Sequence, residues 1–248
     1  MKPTTSGSST SKELKGKIFG SIGHLPGSKT GPSDSTINEG EAEYFTKRLA
    51  RKSDKIIVSE KMDGSCVGVY RKDYTTLVPL IRAGYKAEES HRDFLTDFAD
   101  FCHVEMEDDL HKILDVGEWL VGEWCQQPHG TKYEFHKKNL IGERDYFYPF
   151  AIFKGDRYST AYEYEYAYVK DRVEGKLPMA LEIAADGEPV TINGAHIVLL
   201  TQATPYRLDP AEGAVWRWER DGKVMKRAKW VRASYEAGKY WDGVDATR

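Results

Sequence analysis

Short β-branched and aromatic runs separated by turn signals constrain this chain more than any other feature. Runs at 56–58 (Ile-Ile-Val), 66–70, 119–125, 146–153, 191–201, 214–218 and 224–231 read as strands. Asn193-Gly194 divides the 191–201 run as a hairpin signal, and Asp221-Gly222 precedes the last one. Helical spacing is confined to a few segments. Ser90 is placed to cap a helix whose Phe94, Phe98 and Phe101, then Leu110, Ile113 and Leu114, recur at three and four residues. Shorter helices are expected over 41–52, with Tyr44, Phe45 and Leu49 on one side, and over 162–173. Strands with a few inserted helices, and no regular βαβ alternation, predict an α+β domain of mainly antiparallel sheets with flanking helices.

Residues 1–40 are rich in Ser, Thr, Gly and Pro, so this segment is expected to be partly disordered, with a floppy tail over 1–12. The apolar island Ile18 to Gly27 is the part expected to pack on the folded domain, which spans 41–248. Lys and Arg number 36 against 39 Asp and Glu, a net charge of -3, so bulk charge does not bind this chain to a polyanion and any such site is a local patch. The richest patch is 216–232, with seven basic residues against Glu219 and Asp221; a smaller one holds Lys47, Arg48, Arg51, Lys52 and Lys55. No apolar run is long enough to span a bilayer and the first residues are not signal-like, so a soluble cytoplasmic protein is expected. Cys66, Cys102 and Cys125 are odd in number and form no C-x-x-C pair, which argues against a disulfide framework or zinc ribbon.

Glu60-Lys61-Met62-Asp63-Gly64 lies between two strand-like runs. A lysine becomes nucleophilic when burial or neighbouring cations lower its pKa. Gly64 permits a sharp turn that would aim Lys61 into a cavity, and Asp63 is placed to orient the amine or hold a hydrated metal. Alone, this short pattern more often describes an exposed hairpin turn.

Downstream, further elements follow in order: Ile81-Arg82-Ala83-Gly84, Val121-Gly122-Glu123-Trp124, Tyr148-Pro149-Phe150-Ala151-Ile152-Phe153, Glu212-Gly213-Ala214-Val215-Trp216-Arg217 and Arg227-Ala228-Lys229-Trp230. The set resembles the motifs of the covalent nucleotidyltransferases, the superfamily of polynucleotide ligases and mRNA capping enzymes. Within it the chain is most similar to RNA ligases of the nick-sealing type, where a Glu commonly precedes the nucleophile, as Glu60 does here, and an R-x-G element lies about twenty residues on, as Arg82 does. The resemblance implies an ATP-grasp-like ligase adenylation domain that joins RNA 5′-phosphate and 3′-hydroxyl ends through lysyl-AMP, with ATP and Mg²⁺ or Mn²⁺ as cofactors. Carried over residue by residue, Lys61 is the nucleophile, Arg82, Arg227 and Lys229 bind phosphates, Glu123 and Glu212 position metal or ribose, and Phe150 stacks on the purine, with Glu60 beside the bound nucleotide.

This chain departs from the pattern in places. Ala151 stands where Asp is common, and Arg227 where Lys is common, so Phe153 is a rival stacker and Lys226 a rival cation. Glu118 and Glu123 lie five apart on one strand and face opposite ways, which predicts a solvent-facing Glu118. Arg217 and Glu212 equally fit an ordinary surface pair, and His129 and Tyr133 are expected to flank the pocket as substrate contacts. The other histidines read as surface or packed residues. Only 18 residues follow Trp230, too few for an appended OB-fold or helical domain, so such a chain is expected to seal ends poorly, to need a separate substrate-binding partner for the nucleic-acid ends, or to use its N-terminal segment instead. Two rival readings share the fold: a GTP-using capping guanylyltransferase, and a non-catalytic nucleic-acid-binding module.

Overall fold

The computed structural model describes residues 12–14, 16–135, 146–155, 161–202, 204 and 206–240. The expected tail up to residue 11, and His136, lie outside the described residues. The elements run β1 (Gly23–His24), α1 (Glu39–Thr46), β2 (Asp54–Lys61), β3 (Ser65–Arg71), β4 (Leu77–Ile81), α2 (Asp93–Asp100), α3 (Glu107–Ile113), β5 (Glu118–Trp124), β6 (Phe147–Lys154), β7 (Tyr162–Glu163), α4 (Tyr166–Val173), β8 (Glu182–Gly187), α5 (Ile192–Thr201), β9 (Gly213–Arg220) and β10 (Lys223–Val231). They form the expected α+β architecture. One five-stranded sheet has the order β1-β10-β9-β2-β8 and the other β4-β3-β5-β6-β7. Every pairing is antiparallel except β1 with β10.

β2 and β3 are consecutive in sequence but belong to different sheets. Met62-Asp63-Gly64 is therefore a crossing from one sheet to the other, and no hairpin turn forms there. Gly64 has no positive φ. It is needed for close approach: a Cβ there would meet the Trp124 carbonyl oxygen at 2.6 Å. This crossing leaves Lys61, the last residue of β2, where the two sheets face each other.

Each sheet carries its own core on its outer face. Ala42 and Phe45 of α1 and Ala195 and Leu199 of α5 pack with Ile56, Val58, Trp216 and Ala228. On the other sheet, α2, α3 and α4 cover Val67, Val69, Leu120 and Ile152. A third cluster joins Leu14 and Ile18 to Tyr70, Leu80, Trp119 and Val121, so part of the Ser/Gly-rich segment packs on this sheet.

Four sequence expectations shift. The 191–201 run is a helix: the Thr191 hydroxyl accepts from the Gly194 amide at 3.0 Å as its cap, and Ala195 and Leu199 are buried at i, i+4. Asn193-Gly194 thus lies in a first helical turn, where the capping threonine outweighs the hairpin signal. The 90–114 stretch is two helices joined by a wide π turn over Phe101–Glu105, and it starts at Asp93, since the Ser90 hydroxyl accepts only from the Arg92 amide. The extra residue in that turn keeps Leu95, Phe98, Phe101, Cys102, Met106 and Leu110 all buried, while Phe94 is only partly so. The 41–52 helix ends at Thr46, and 162–173 divides into β7 and α4.

Candidate active site

Period-two alternation along three adjacent strands builds one wall of a cleft. Registers Lys61↔Gly213, Ser59↔Val215↔Lys229 and Ile57↔Arg217↔Arg227 put Lys61, Val215, Arg217, Arg227 and Lys229 on one face. Glu123 of β5, opposite Tyr148 of β6, forms the other wall. Phe19, Ile22, Met62, Tyr148, Phe150 and Val215 give the cleft an apolar lining around Lys61, Glu60, Glu123, Arg217 and Arg227. That mix suits a ligand with an aromatic part.

Phe150 owes its position to a β-bulge. Val121 pairs with Ala151 and Gly122 with Pro149, so Phe150 is an extra residue with no partner on β5. Pro149, which has no amide proton to give to a ladder, marks the irregularity in the sequence. Phe19 meets the Phe150 ring edge-on at 4.9 Å, and the Arg227 guanidinium lies over Phe150 at 5.3 Å. The rival stacker Phe153 is already stacked on Trp119, 5.3 Å away at 12°.

Lys61 Nζ donates to Glu212 Oε2 at 2.6 Å. Burial alone would depress the lysine pKa, but Glu212, Glu123 and Asp63 together raise it, so the resting amine is protonated. Burial raises the Glu212 carboxyl to about 6 against the pull of Lys61. Burial raises Glu123 further, to about 8, with Glu212 and Asp63 adding to the effect. Among the described residues, Glu123 Oε2 is buried without a hydrogen-bond partner. Lys229 has its pKa lowered, first by burial and then by Lys61, and sits 3.6 Å from Asp34.

Asp63 does a different job from the one expected. Its Oδ2 accepts from the Gly130 and Thr131 amides at 2.8 and 2.7 Å, its Oδ1 accepts from the Tyr235 hydroxyl at 2.9 Å, and its own amide donates to the Tyr133 hydroxyl. Both carboxylate oxygens are thus engaged by protein donors, and Asp63 ties the 129–131 loop and Tyr235 to the sheet crossing. Tyr133 serves the same joint from a buried position, while His129 stands beside it, 3.4 Å from the Ser65 hydroxyl. Asp63→Asn replaces an acceptor with an amide donor facing protein donors, and is expected to cost about 2–4 kcal/mol in urea denaturation. An unchanged midpoint would contradict this role.

Other residues part from expectation as well. Glu118 is fully buried, because Tyr164 and Tyr168 donate to its Oε1 and Arg172 lies 3.6 Å from its Oε2. Arg217 is buried and apart from Glu212, with Glu219 Oε1 3.9 Å from its Nε. Glu60 is buried and ion-paired with Arg207 at 2.8 Å, a partner the sequence did not signal. Lys226 pairs with Glu41 and does not substitute for Arg227, which pairs with Glu163. The basic 216–232 stretch is accordingly much less free than its composition suggests: Arg220 pairs with Asp54, and Lys223 lies over Tyr162. Arg82 is exposed at the cleft margin, donating to the Gly20 carbonyl at 3.1 Å.

Among the described residues, no group of three or more His, Cys, Asp or Glu side chains is placed to hold a metal. The donor set still fits a hydrated divalent cation of the Mg²⁺ kind, which takes one or two carboxylates and completes its shell with water and phosphate oxygens. Glu123, with its unpartnered oxygen, and Glu212 are the two carboxylates available beside Lys61. No described helix is long and apolar enough to cross a membrane.

The fold is an α+β domain whose two sheets flank this cleft. The chain belongs to the RNA ligase family, whose sequence profile matches residues 54–231. Among solved structures, it is similar to an archaeal ATP-dependent RNA ligase (14% identity, TM-score 0.48, covering 72% of this chain and 42% of that one). It is also similar to a Naegleria gruberi RNA ligase K326A mutant with ATP and Mn (17% identity, TM-score 0.49, 90% and 59%). The chain therefore spans about half the length of these proteins. No curated protein sequence matches.

Proposed function

We propose that this protein is an ATP-dependent RNA ligase that works through a covalent lysyl-AMP intermediate. The observation that carries the reading is the half-buried Lys61, held at 2.6 Å by Glu212 and facing Glu123 in a cleft with an aromatic shelf. Phe150 stacks on the base, and Lys229 and Arg82 hold phosphate oxygens. Lys61 Nζ attacks the α-phosphate of ATP: an N–P bond forms, the bond to the pyrophosphate oxygen breaks, and pyrophosphate leaves. The adenylyl group then passes to an RNA 5′-phosphate, and attack by a 3′-hydroxyl expels AMP. Glu123 and Glu212 would hold a divalent cation, which neutralises phosphoryl oxygens when bound.

Lys61 must shed a proton before it can attack, and Glu212 Oε2 is the acceptor in contact with it. Because the lysine pKa is raised and Glu123 titrates at about 8, the reactive state is scarce at low pH. Single-turnover adenylation is expected to quicken from pH 6 to 9, by up to about tenfold per unit. A flat profile would contradict this proton inventory.

The whole reading is tested by incubating the protein with ATP, a divalent cation and a nicked duplex carrying a 5′-phosphate. Adenylated 5′ ends and sealed RNA are expected. Adduct formed from GTP alone would favour a capping guanylyltransferase, and salt-sensitive RNA binding with no adduct would favour a non-catalytic module.

A further inference from the structure

Arg217 is buried yet belongs to no role so far described, and burying a guanidinium is costly unless its contacts are specific. It reaches from β9 across the space between the sheets, and its Nη2 donates to the carbonyl oxygen of Phe150. Arg227 Nη2 donates to the same oxygen at 3.3 Å. Two cations therefore converge on the backbone of the single bulged residue whose ring lines the cleft. The rest of Arg217 is fixed by its surroundings: its guanidinium lies over the Tyr166 ring at 5.0 Å, and Glu219 stands 3.9 Å from its Nε. Glu219 is itself fixed by accepting from the Tyr166 amide at 2.6 Å.

A bulged residue lacks the ladder that orients its neighbours, so something else must set the direction of its ring. We propose that Arg217 is a positioning residue for the base of the bound nucleotide, acting by clamping the Phe150 carbonyl so that the ring presents its face to the cleft. The inference rests on the nucleotide-binding reading above. Arg227 braces the same carbonyl from the side, but its pairing with Glu163 and its place over the Phe19 and Phe150 rings make it part of the cleft wall itself. Lysine at 217 keeps the charge but not the planar fork, so it restores the clamp only in part.

The test compares wild type, Arg217→Lys and Arg217→Gln in lysyl-adenylate formation, with inorganic tripolyphosphate as a competitor that has phosphates but no base. Arg217→Gln is expected to raise the KM for ATP about tenfold with kcat within about twofold, and Arg217→Lys to raise it about threefold. Inhibition by tripolyphosphate should be unchanged in both. An unchanged KM overturns the proposal. So does a fall in kcat that matches the change in KM, or a parallel weakening of tripolyphosphate, since either marks a general structural role. If Arg217→Gln fails to fold, Arg217→Lys is judged by the same three readouts. Wild type that forms no adduct with ATP removes the ligase reading and the proposal with it. That result differs from normal wild-type labelling with indifferent variants, which overturns the clamp alone.

Discussion

Gly213→Ala is expected to lose about 3 kcal/mol or more of stability and most of its nucleotide labelling, although it adds one methyl group. A Cβ at this position would lie 1.8 Å from the Trp230 carbonyl oxygen, 2.8 Å from its carbon and 3.0 Å from Val231 Cα. All three are backbone atoms of β10, so no side chain can swing aside. The clash is relieved only by parting β9 from β10, at the pair Gly213↔Val231, which lies beside Lys61↔Gly213 in the same sheet. The shift also displaces Glu212, the next residue, from the lysine it holds. Urea denaturation and adduct yield measure the two effects. A variant with wild-type midpoint and yield would contradict the close strand packing at the end of β9.

Lys61→Ala is expected to abolish adenylation and sealing, by at least about four orders of magnitude, since no other amine occupies its place. Its effect on stability is predicted to depend on pH. Glu212 is 6% exposed, and without Lys61 both it and Glu123 lose their nearest cation. Their pKa values then rise further above those of the unfolded chain. The folded protein binds more protons than the unfolded one in that window, so stability falls as pH increases from about 4.5 upwards. The variant should approach wild type near pH 5 and be less stable by a few kcal/mol at pH 8. An equal deficit at both values would show that the carboxylates are not coupled to Lys61 as described.

The sequence made the site more legible than the path of the chain around it. Lys61, Glu123, Arg227 and Lys229 stand at strand positions where alternation settles which way they face, and the structure sets them near Glu212, next to the start of β9, and the bulged Phe150. What escaped depended on partners remote in sequence. Asp63 is claimed by the 129–131 amides and Tyr235, contacts that no local pattern encodes. Glu118 looked solvent-facing because strand alternation says nothing of helix α4, whose Tyr168 and Arg172 bury it. The 191–201 segment was misread because a strand reading of its apolar residues ignored the threonine able to cap a helix. Arg217 read as half of a surface pair with Glu212, because its burial and its contact with the Phe150 carbonyl appear only in three dimensions. Pro149 was the available clue to that bulge.

The central claim is that Lys61 carries the nucleotide covalently, and intact-mass measurement with peptide mapping tests it most directly. Protein freed of bound nucleotide, then given ATP and a divalent cation, should gain the mass of one adenylyl group, located on the peptide that contains Lys61 and absent in Lys61→Ala. Folded protein that gains no such mass, or gains it on a residue other than Lys61, would contradict the account.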